Sequence, residues 1–380
     1  MNEGEKFEYL GAIRGIAAFI VFLAHIVQIC WLRVWGLGSW QHSVSSDASY
    51  YSVVVFFILS GFLITHSIEA NAARNGVLNL TEFFAARFAR LYPPFLFAIL
   101  ISVLVYACLE LFALPGRATP MILPGDVYTA REIVHLPPRE LLSALFMRDG
   151  LAEINGPLWS LYMEAKLYIL FACGYALWQG RRRALFMAAL AIALYFTLRA
   201  GWRYNPEFMR YAAVWLLGSC AYYLRAPLRQ ALRNRSLACG VCLVMLLVAV
   251  DLAALHFALT PLRGGGRPIW IDVLVSAGIA AFLFGVRPWL GFGSKMADYS
   301  YSLYAMHFPV LLLFQALLVA SGSKSLTGAV LASVCGGAAA IVLAQVGGRL
   351  EAAKPRLQRQ ILSLWQFVFD KTLAALPSRR

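Results

Sequence analysis

Charged side chains are scarce in this chain of 380 residues. Asp, Glu, Lys and Arg together make up 14% of the residues, whereas soluble proteins average about 25%. Apolar residues reach 61%, and the mean hydropathy is +0.68. This balance excludes the two or three soluble domains that the length would otherwise suggest. It indicates a single domain that crosses a membrane many times.

Other absences exclude further classes of protein. The seven cysteines lie mostly within apolar segments and form no disulfide framework. The histidines show no spacing typical of metal ligands, so we predict no metal. The glycine run at 263–268 follows no strand and lacks the Lys-Ser/Thr of a phosphate-binding loop, which argues against nucleotide binding there. We also expect no cleaved signal peptide, because Arg14 interrupts the first apolar stretch.

Long apolar segments are what the chain has instead. We predict an all-α, polytopic membrane protein with about ten transmembrane helices, each close to the length that a bilayer core of about 30 Å requires. The predicted spans are 10–32, 51–69, 91–112, 157–178, 184–199, 208–224, 236–260, 270–289, 299–320 and 325–346.

Basic residues set the predicted orientation. If the N-terminus is cytoplasmic, most Lys and Arg outside the spans fall on the cytoplasmic side, which predicts both termini in the cytoplasm and a multi-pass protein of the bacterial inner membrane. The net charge of +14 is then explained by topology and by attraction to anionic membrane lipid, so no nucleic-acid partner is predicted.

Two regions are distinguished along the chain. Residues 1–347 are predicted to form the transmembrane domain, and 348–380 a basic cytoplasmic tail. Within the tail, apolar residues recur at near-helical spacing from Pro355 onward, which is typical of an amphipathic helix on a membrane surface. The segment 113–156 is the longest connection, and we expect it to lie over the outer mouth of a site.

Arg14 and His25 are ionisable residues within the first apolar segment. Eleven residues are about three helical turns, so both side chains lie on one face, roughly 16 Å apart along the axis. Ionisable groups in a span usually mark function. A neutral imidazole can take a proton from a hydroxyl or attack an acyl group. The alternatives are a helix-packing role for His25 and a snorkelling side chain for Arg14.

Arg87 and Arg90 lie three residues apart, on one helix face at the inner membrane boundary. Two neighbouring guanidinium groups suit phosphates, although ordinary positive-inside charge is an alternative explanation. Tyr92-Pro93-Pro94 follows, and we expect the chain to bend or restart there.

Glu164 and the ninth predicted span carry the remaining candidates. A buried carboxylate needs a partner or a proton, so Glu164 is expected to orient a histidine, pair with an arginine or act as a relay; a purely structural ion pair is the alternative. Ser300, Tyr304 and His307 form a single stripe at i, i+4 and i+7. His307 is expected at a depth comparable to that of His25, where packing or hydrogen bonding to a neighbouring helix is the simpler role.

Taken together, these segments resemble the acyltransferase 3 family of integral membrane proteins. The arginine, ten residues and histidine from Arg14 to His25 resemble its first signature, and 56–65 (Phe-Phe-Ile-Leu-Ser-Gly-Phe-Leu-Ile-Thr) its second-helix motif. Arg87-x-x-Arg90 resembles its inner arginine pair. Two later blocks match Leu158-Trp-Ser-Leu-x-x-Glu164 and Tyr299-Ser-Tyr-Ser-Leu-Tyr-x-x-His307. The family usually has a second glutamate after the first, where this chain has Ala165.

The resemblance implies an O-acyltransferase that takes an acyl group from cytoplasmic acyl-CoA. Acetyl is expected, and succinyl or longer groups are alternatives; the acceptor is expected to be a hydroxyl of an envelope glycan or lipid-linked saccharide. It implies catalytic roles for His25, Arg14 and Glu164. Substrate binding is expected of Arg87, Arg90, Trp159, Tyr304 and His307. Membrane lipid is an expected partner, and homo-oligomerisation stays open.

A second class of function is also compatible with these residues. Buried Arg, His and Glu are what a proton-coupled transporter or flippase of a sugar or acylated lipid would use. No internal inverted repeat is evident, which disfavours this alternative. The two classes differ in whether the protein consumes a thioester.

Overall fold

The structure is a computed structural model, and it describes residues 8–36, 38–121, 133–180, 205–232, 269–286, 294–322, 325–352 and 355–364. In this part of the chain the regular secondary structure is helical, and the only extended pairing is an isolated bridge between Pro115 and Thr119. The all-α prediction is therefore confirmed for these residues.

In the described ranges, nine helices form the framework. In chain order they are α1 (Glu8–Ile26), α2 (Trp40–Asn75), α3 (Leu80–Leu111), α4 (Pro138–Leu145), α5 (Leu158–Trp178), α6 (Asn205–Ala231), α7 (Ile269–Ala281), α8 (Ser300–Ala320) and α9 (Leu326–Ala352). A π-helical turn, Val27–Trp31, extends α1 and is followed by a short helix, Leu32–Trp35; another π-helical turn, Phe282–Val286, extends α7, and Ser294–Ala297 precedes α8.

Among the described residues, five helices are long and apolar enough to cross a membrane: Tyr9–Trp31, Trp40–Asn75, Leu80–Leu111, Ser300–Ala320 and Leu326–Leu350. They coincide with five of the predicted spans. Helices α5, α6 and α7 occupy the positions predicted at 157–178, 208–224 and 270–289, whereas the spans predicted at 184–199 and 236–260 lie outside the described residues. A total of ten spans, like the cytoplasmic location of both termini, stays a prediction.

The second and third predicted spans were too short. Helix α2 has 36 residues and α3 has 32, because polar turns extend α2 at both ends and α3 at its start, where the two helices join. There Asn79 caps α3 by accepting a hydrogen bond from the Glu82 backbone N–H, and the Glu82 carboxylate accepts from Asn71 and Arg74 of α2. This polar hairpin fixes the register between α2 and α3.

The expectation that the chain restarts at Tyr92-Pro93-Pro94 was wrong. Both prolines lie inside the continuous helix α3. Pro93 and Pro94 remove the donors that would bond to the Ala89 and Arg90 carbonyls, and the Tyr301 hydroxyl of α8 donates to the next carbonyl, that of Leu91, at 3.2 Å.

Helix α8 lies at the centre of the bundle, since 72% of the residues in its most apolar stretch are buried, compared with 28% for α9. Proline 309 removes one backbone donor within α8, and the carbonyl of Ala305, four residues earlier, accepts instead from the side-chain amide of Asn155 at 2.9 Å. This contact ties the start of α5 to the central helix.

Helices α2 and α6 cross at a point where neither tolerates a side chain. A Cβ on Gly61 would overlap the carbonyl oxygen of Trp215, and one on Gly218 would overlap that of Ile58. Thr65 donates to the Ser219 hydroxyl at 2.7 Å next to this crossing. Small residues let membrane helices approach closely, and the crossing brings Trp215 against α2.

Candidate active site

An open cavity lies between α2, α3, α5 and α8, with α1 contributing one residue. It encloses about 720 Å³, including its open mouth. Its wall combines three arginines and one glutamate with hydroxyl and apolar side chains: Arg14, Phe56, Phe57, Leu59, Ser60, Leu63, Ile64, Arg87, Arg90, Leu91, Ser160, Leu161, Glu164, Tyr168, Tyr301 and Tyr304. Five residues singled out in the sequence are among them: Arg14, Arg87, Arg90, Glu164 and Tyr304.

Positive charge dominates one side of the cavity. Arg87 donates to the Ser67 hydroxyl at 3.0 Å and lies 5.6 Å from the centre of the Phe83 ring. Within the described residues, no carboxylate lies within 4.0 Å of the guanidinium of Arg87 or Arg90. Both side chains are partly buried. Glu164 lines the same cavity but forms no salt bridge with either arginine, so the two partly desolvated guanidinium groups are suited to binding an anion.

The carboxylate of Glu164 is held by hydroxyl groups. The Ser60 hydroxyl donates to Glu164 Oε1 at 2.6 Å, and the Tyr168 hydroxyl donates to the same oxygen. Ser60 in turn accepts from the indole N–H of Trp215 at 3.1 Å. Trp215 was missed by sequence reasoning, because a tryptophan in an apolar helix gives no sign of its distant partner. The α2–α6 crossing at Gly61 is what places it beside Ser60.

The predicted stripe on α8 contacts two other helices at three levels. Ser300 accepts from Arg14 Nε at 3.3 Å, Tyr304 shares a 2.6 Å hydrogen bond with Ser160, and His307 Nε2 lies 2.8 Å from His25 Nδ1. Because Arg14 meets the first member of the stripe and His25 the last, α1 and α8 run in the same direction.

His25 and His307 form a stacked pair just beyond the cavity. Their ring centres are 5.0 Å apart, and His307 lies 6.2 Å from the ring of Tyr304, the cavity residue one turn earlier on α8. Neither histidine lines the cavity. His307 is fully buried, whereas His25 is partly exposed. The histidine pair therefore lies next to the cavity residue Tyr304 but outside the cavity wall.

Trp159 also lies outside the cavity wall. Its ring packs against Tyr211, whose centre is 4.9 Å away, and lies 6.3 Å from Phe57, on which Tyr211 also stacks. Phe57 does line the cavity, so Trp159 supports that wall from behind.

A buried ion pair lies apart from the cavity, between α6 and α7. Arg210 is 3.3 Å from the carboxylate of Asp272, and the Asp272 side chain is 1% exposed. Asp272 was not singled out by sequence reasoning, although a lone carboxylate in an apolar helix is a signal that could have found it.

Fold and site together define a helical membrane protein with an arginine-lined cavity inside its bundle. A family model described as an acyltransferase domain matches residues 7–349, nearly the whole chain. The chain belongs to this family, acyltransferase 3, and the resemblance noted in its motifs is confirmed. Family membership supports acyltransferase activity.

Two relatives agree with this assignment in part. The chain is 28% identical over 195 residues to "Protein 2 in picA locus" of Rhizobium radiobacter, an alignment covering 50% of this chain and 93% of that protein. It is 30% identical over 170 residues to "Acyltransferase MdmB" of Streptomyces mycarofaciens, covering 44% of this chain and 39% of that protein. No solved structure matches the chain.

Proposed function

We propose that this protein transfers an acyl group, acetyl in the first instance, from cytoplasmic acyl-CoA to a hydroxyl of an envelope glycan or lipid-linked saccharide. The proposed location is a bacterial inner membrane, with both termini in the cytoplasm. The observation that carries this proposal is the arrangement of an arginine-lined cavity next to the His25–His307 pair. An anion site and a proton acceptor are what acyl-CoA-dependent transfer requires.

Arg87 and Arg90 are assigned to binding the acyl donor, acyl-CoA. Coenzyme A carries several phosphate oxygens, and guanidinium groups bind them through charge-assisted, often paired hydrogen bonds. With no carboxylate within 4.0 Å of either group in the described residues, a phosphate would supply the missing counter-charge. The pantetheine arm would then extend through the cavity past Ser160 and Tyr304 toward His25.

His25 is assigned the proton transfer. In the proposed step His25 takes the proton of the acceptor hydroxyl while the hydroxyl oxygen bonds to the thioester carbonyl carbon. The carbon–sulfur bond then breaks, and the departing coenzyme A thiolate takes the proton back from His25. A positioned general base typically contributes about 10²- to 10⁴-fold in rate. Arg14 lines the cavity about three helical turns from His25 on the same helix, and it is assigned to orienting the donor within the cavity.

Thioester consumption by the purified protein tests this proposal. Wild-type protein in detergent, given acetyl-CoA, should release free coenzyme A, slowly by hydrolysis alone and faster when a saccharide acceptor is added. His25→Ala should lose about 10²- to 10⁴-fold of this rate while remaining folded. His42→Ala is the matched control, because His42 lies in the first turn of α2, where its backbone N–H bonds to the capping Ser39.

The same assay separates an enzyme from a transporter. A carrier would bind its cargo without releasing coenzyme A, so absence of thiol release from folded wild-type protein would overturn the proposed function. Mass spectrometry of surface glycans from cells with and without the protein would then identify the acceptor.

A further inference from the structure

The hydrogen bonds of His307 determine which nitrogen of each ring carries a proton. His307 Nδ1 lies 2.8 Å from the backbone carbonyl oxygen of Leu303, one turn earlier on α8. A carbonyl oxygen only accepts, so His307 Nδ1 must carry the hydrogen and donate it. In a neutral ring the other nitrogen, Nε2, is then left with a lone pair.

That lone pair faces His25. His307 Nε2 lies 2.8 Å from His25 Nδ1, and as an acceptor it requires Nδ1 of His25 to be the donor. The hydrogen of a neutral His25 therefore lies on Nδ1, and its Nε2 keeps the basic lone pair. A backbone carbonyl thus sets the tautomer of both rings in sequence.

The surroundings favour two neutral rings. His307 is fully buried, and an aromatic ring of α1, Phe22, meets it edge-on at 5.9 Å. Phe308 meets His25 edge-on at 5.3 Å. No carboxylate lies within 4.0 Å of either histidine in the part of the chain that the structure describes. A buried imidazolium without a counter-ion is costly, so the resting pair has no charge.

We propose that His307 is a positioning residue, which holds His25 in its Nδ1–H tautomer so that Nε2 of His25 is the nitrogen that takes the acceptor proton. This inference rests on the proposed function. When Nε2 takes the proton, Nδ1–H keeps donating to His307, so the transient positive charge is stabilised by a neutral ring instead of a carboxylate. The role differs from substrate contact, which the sequence alone suggested for His307.

Three substitutions at His307 separate positioning from packing. In His307→Gln the amide oxygen can reach the place of Nε2 and accept from His25; in His307→Asn it is too short to do so, and in His307→Phe no acceptor remains. We expect His307→Gln to keep kcat within about 10-fold and the other two to lose on the order of 10²-fold, below the ~10⁴-fold that a wrong tautomer costs beside a carboxylate partner. The KM for acetyl-CoA should not change. Equal losses in all three variants, or better activity with Phe than with Gln, would overturn the positioning role.

A spectroscopic measurement tests the tautomer without any substrate. In protein labelled with ¹⁵N-histidine, the ring signals of His25 and His307 are assigned by their loss in His25→Ala and His307→Gln. Both rings should carry hydrogen on Nδ1 and a bare Nε2. A His25 ring protonated on Nε2 overturns the inference even in an active enzyme. Failure of wild-type protein to cleave acetyl-CoA instead overturns the proposed function, so the two failures are distinguishable.

Discussion

Two regions of the bundle contain arginine within apolar helices, and they differ in whether a carboxylate contacts the guanidinium group. Between α6 and α7, Arg210 is matched by the buried carboxylate of Asp272. In the cavity, Arg87 and Arg90 face open space with no carboxylate within 4.0 Å among the described residues. A matched charge stabilises the fold, whereas an unmatched charge beside a cavity is suited to an anionic ligand.

The largest effect should come from breaking the matched pair. Asp272→Asn leaves the Arg210 charge buried without its counter-charge, and removing one partner of a buried ion pair typically costs about 3–5 kcal/mol. We expect a much lower thermal midpoint in detergent, with the affinity for acyl-CoA unchanged in the protein that stays folded. The double variant Arg210→Gln, Asp272→Asn should recover part of the loss. Equal instability of the single and double variants would contradict the ion-pair role.

For the cavity arginines we expect the opposite result, a large change in acyl-CoA affinity and a small change in stability. Arg87→Gln and Arg90→Gln each remove one charge-assisted contact, worth about 1.5–3 kcal/mol, so the Kd for acyl-CoA should rise by roughly 10- to 100-fold for each. The thermal midpoint should change little, because no carboxylate is left unpaired. Equilibrium binding of a non-hydrolysable acyl-CoA analogue measures this. An unchanged Kd in the double variant would remove the donor role from these residues.

The helix crossing provides a steric test. Gly61→Ala places a Cβ against the carbonyl oxygen of Trp215, and overpacking of this kind costs about 1–3 kcal/mol. The control is Gly174→Ala in α5, where a Cβ would meet nothing within 4 Å; it should leave stability unchanged or slightly raised. Thermal midpoints of the two variants, measured side by side, give the comparison. Similar midpoints for both would show that the crossing is looser than the structure indicates.

The smallest effect is expected at Ser60, which links the α2–α6 crossing to the cavity. Its hydroxyl links Trp215 at the crossing to Glu164 in the cavity. Ser60→Ala should cost about 0.5–1.5 kcal/mol of stability and also lower the transfer rate modestly, because Glu164 loses one of its two donors. Ser45→Ala is the control in the same helix, since Ser45 donates only to the His42 carbonyl one turn away. A change in stability with no change in rate would separate Glu164 from the reaction.

Several features of the site follow from sequence periodicity. The spacing of Ser300, Tyr304 and His307 requires one helix face, and the structure shows that face meeting α1 and α5. The position of Arg87 and Arg90 on one face of α3 follows in the same way, and both line the cavity. Local spacing suffices here because a helix places residues three, four and seven apart on one side.

Contacts between helices could not be predicted from the spacing of residues within one helix. Nothing in the spacing indicates that Trp215 reaches Ser60, that His25 pairs with His307, or that Arg210 meets Asp272. Each of these depends on the angle and depth at which two helices pack. Periodicity within one helix contains neither quantity.

The amino-acid sequence by itself determined that this chain is a helical membrane protein of the acyltransferase 3 family, because apolar length, charge scarcity and motif spacing are properties of single segments. Only the tertiary structure decided that His25 is paired with His307 and that the three cavity arginines share one space. The physical reason is that these contacts join different helices. In particular, which nitrogen of the His25 imidazole carries the proton depends on the group that its other nitrogen contacts. That partner lies 282 residues away in the chain.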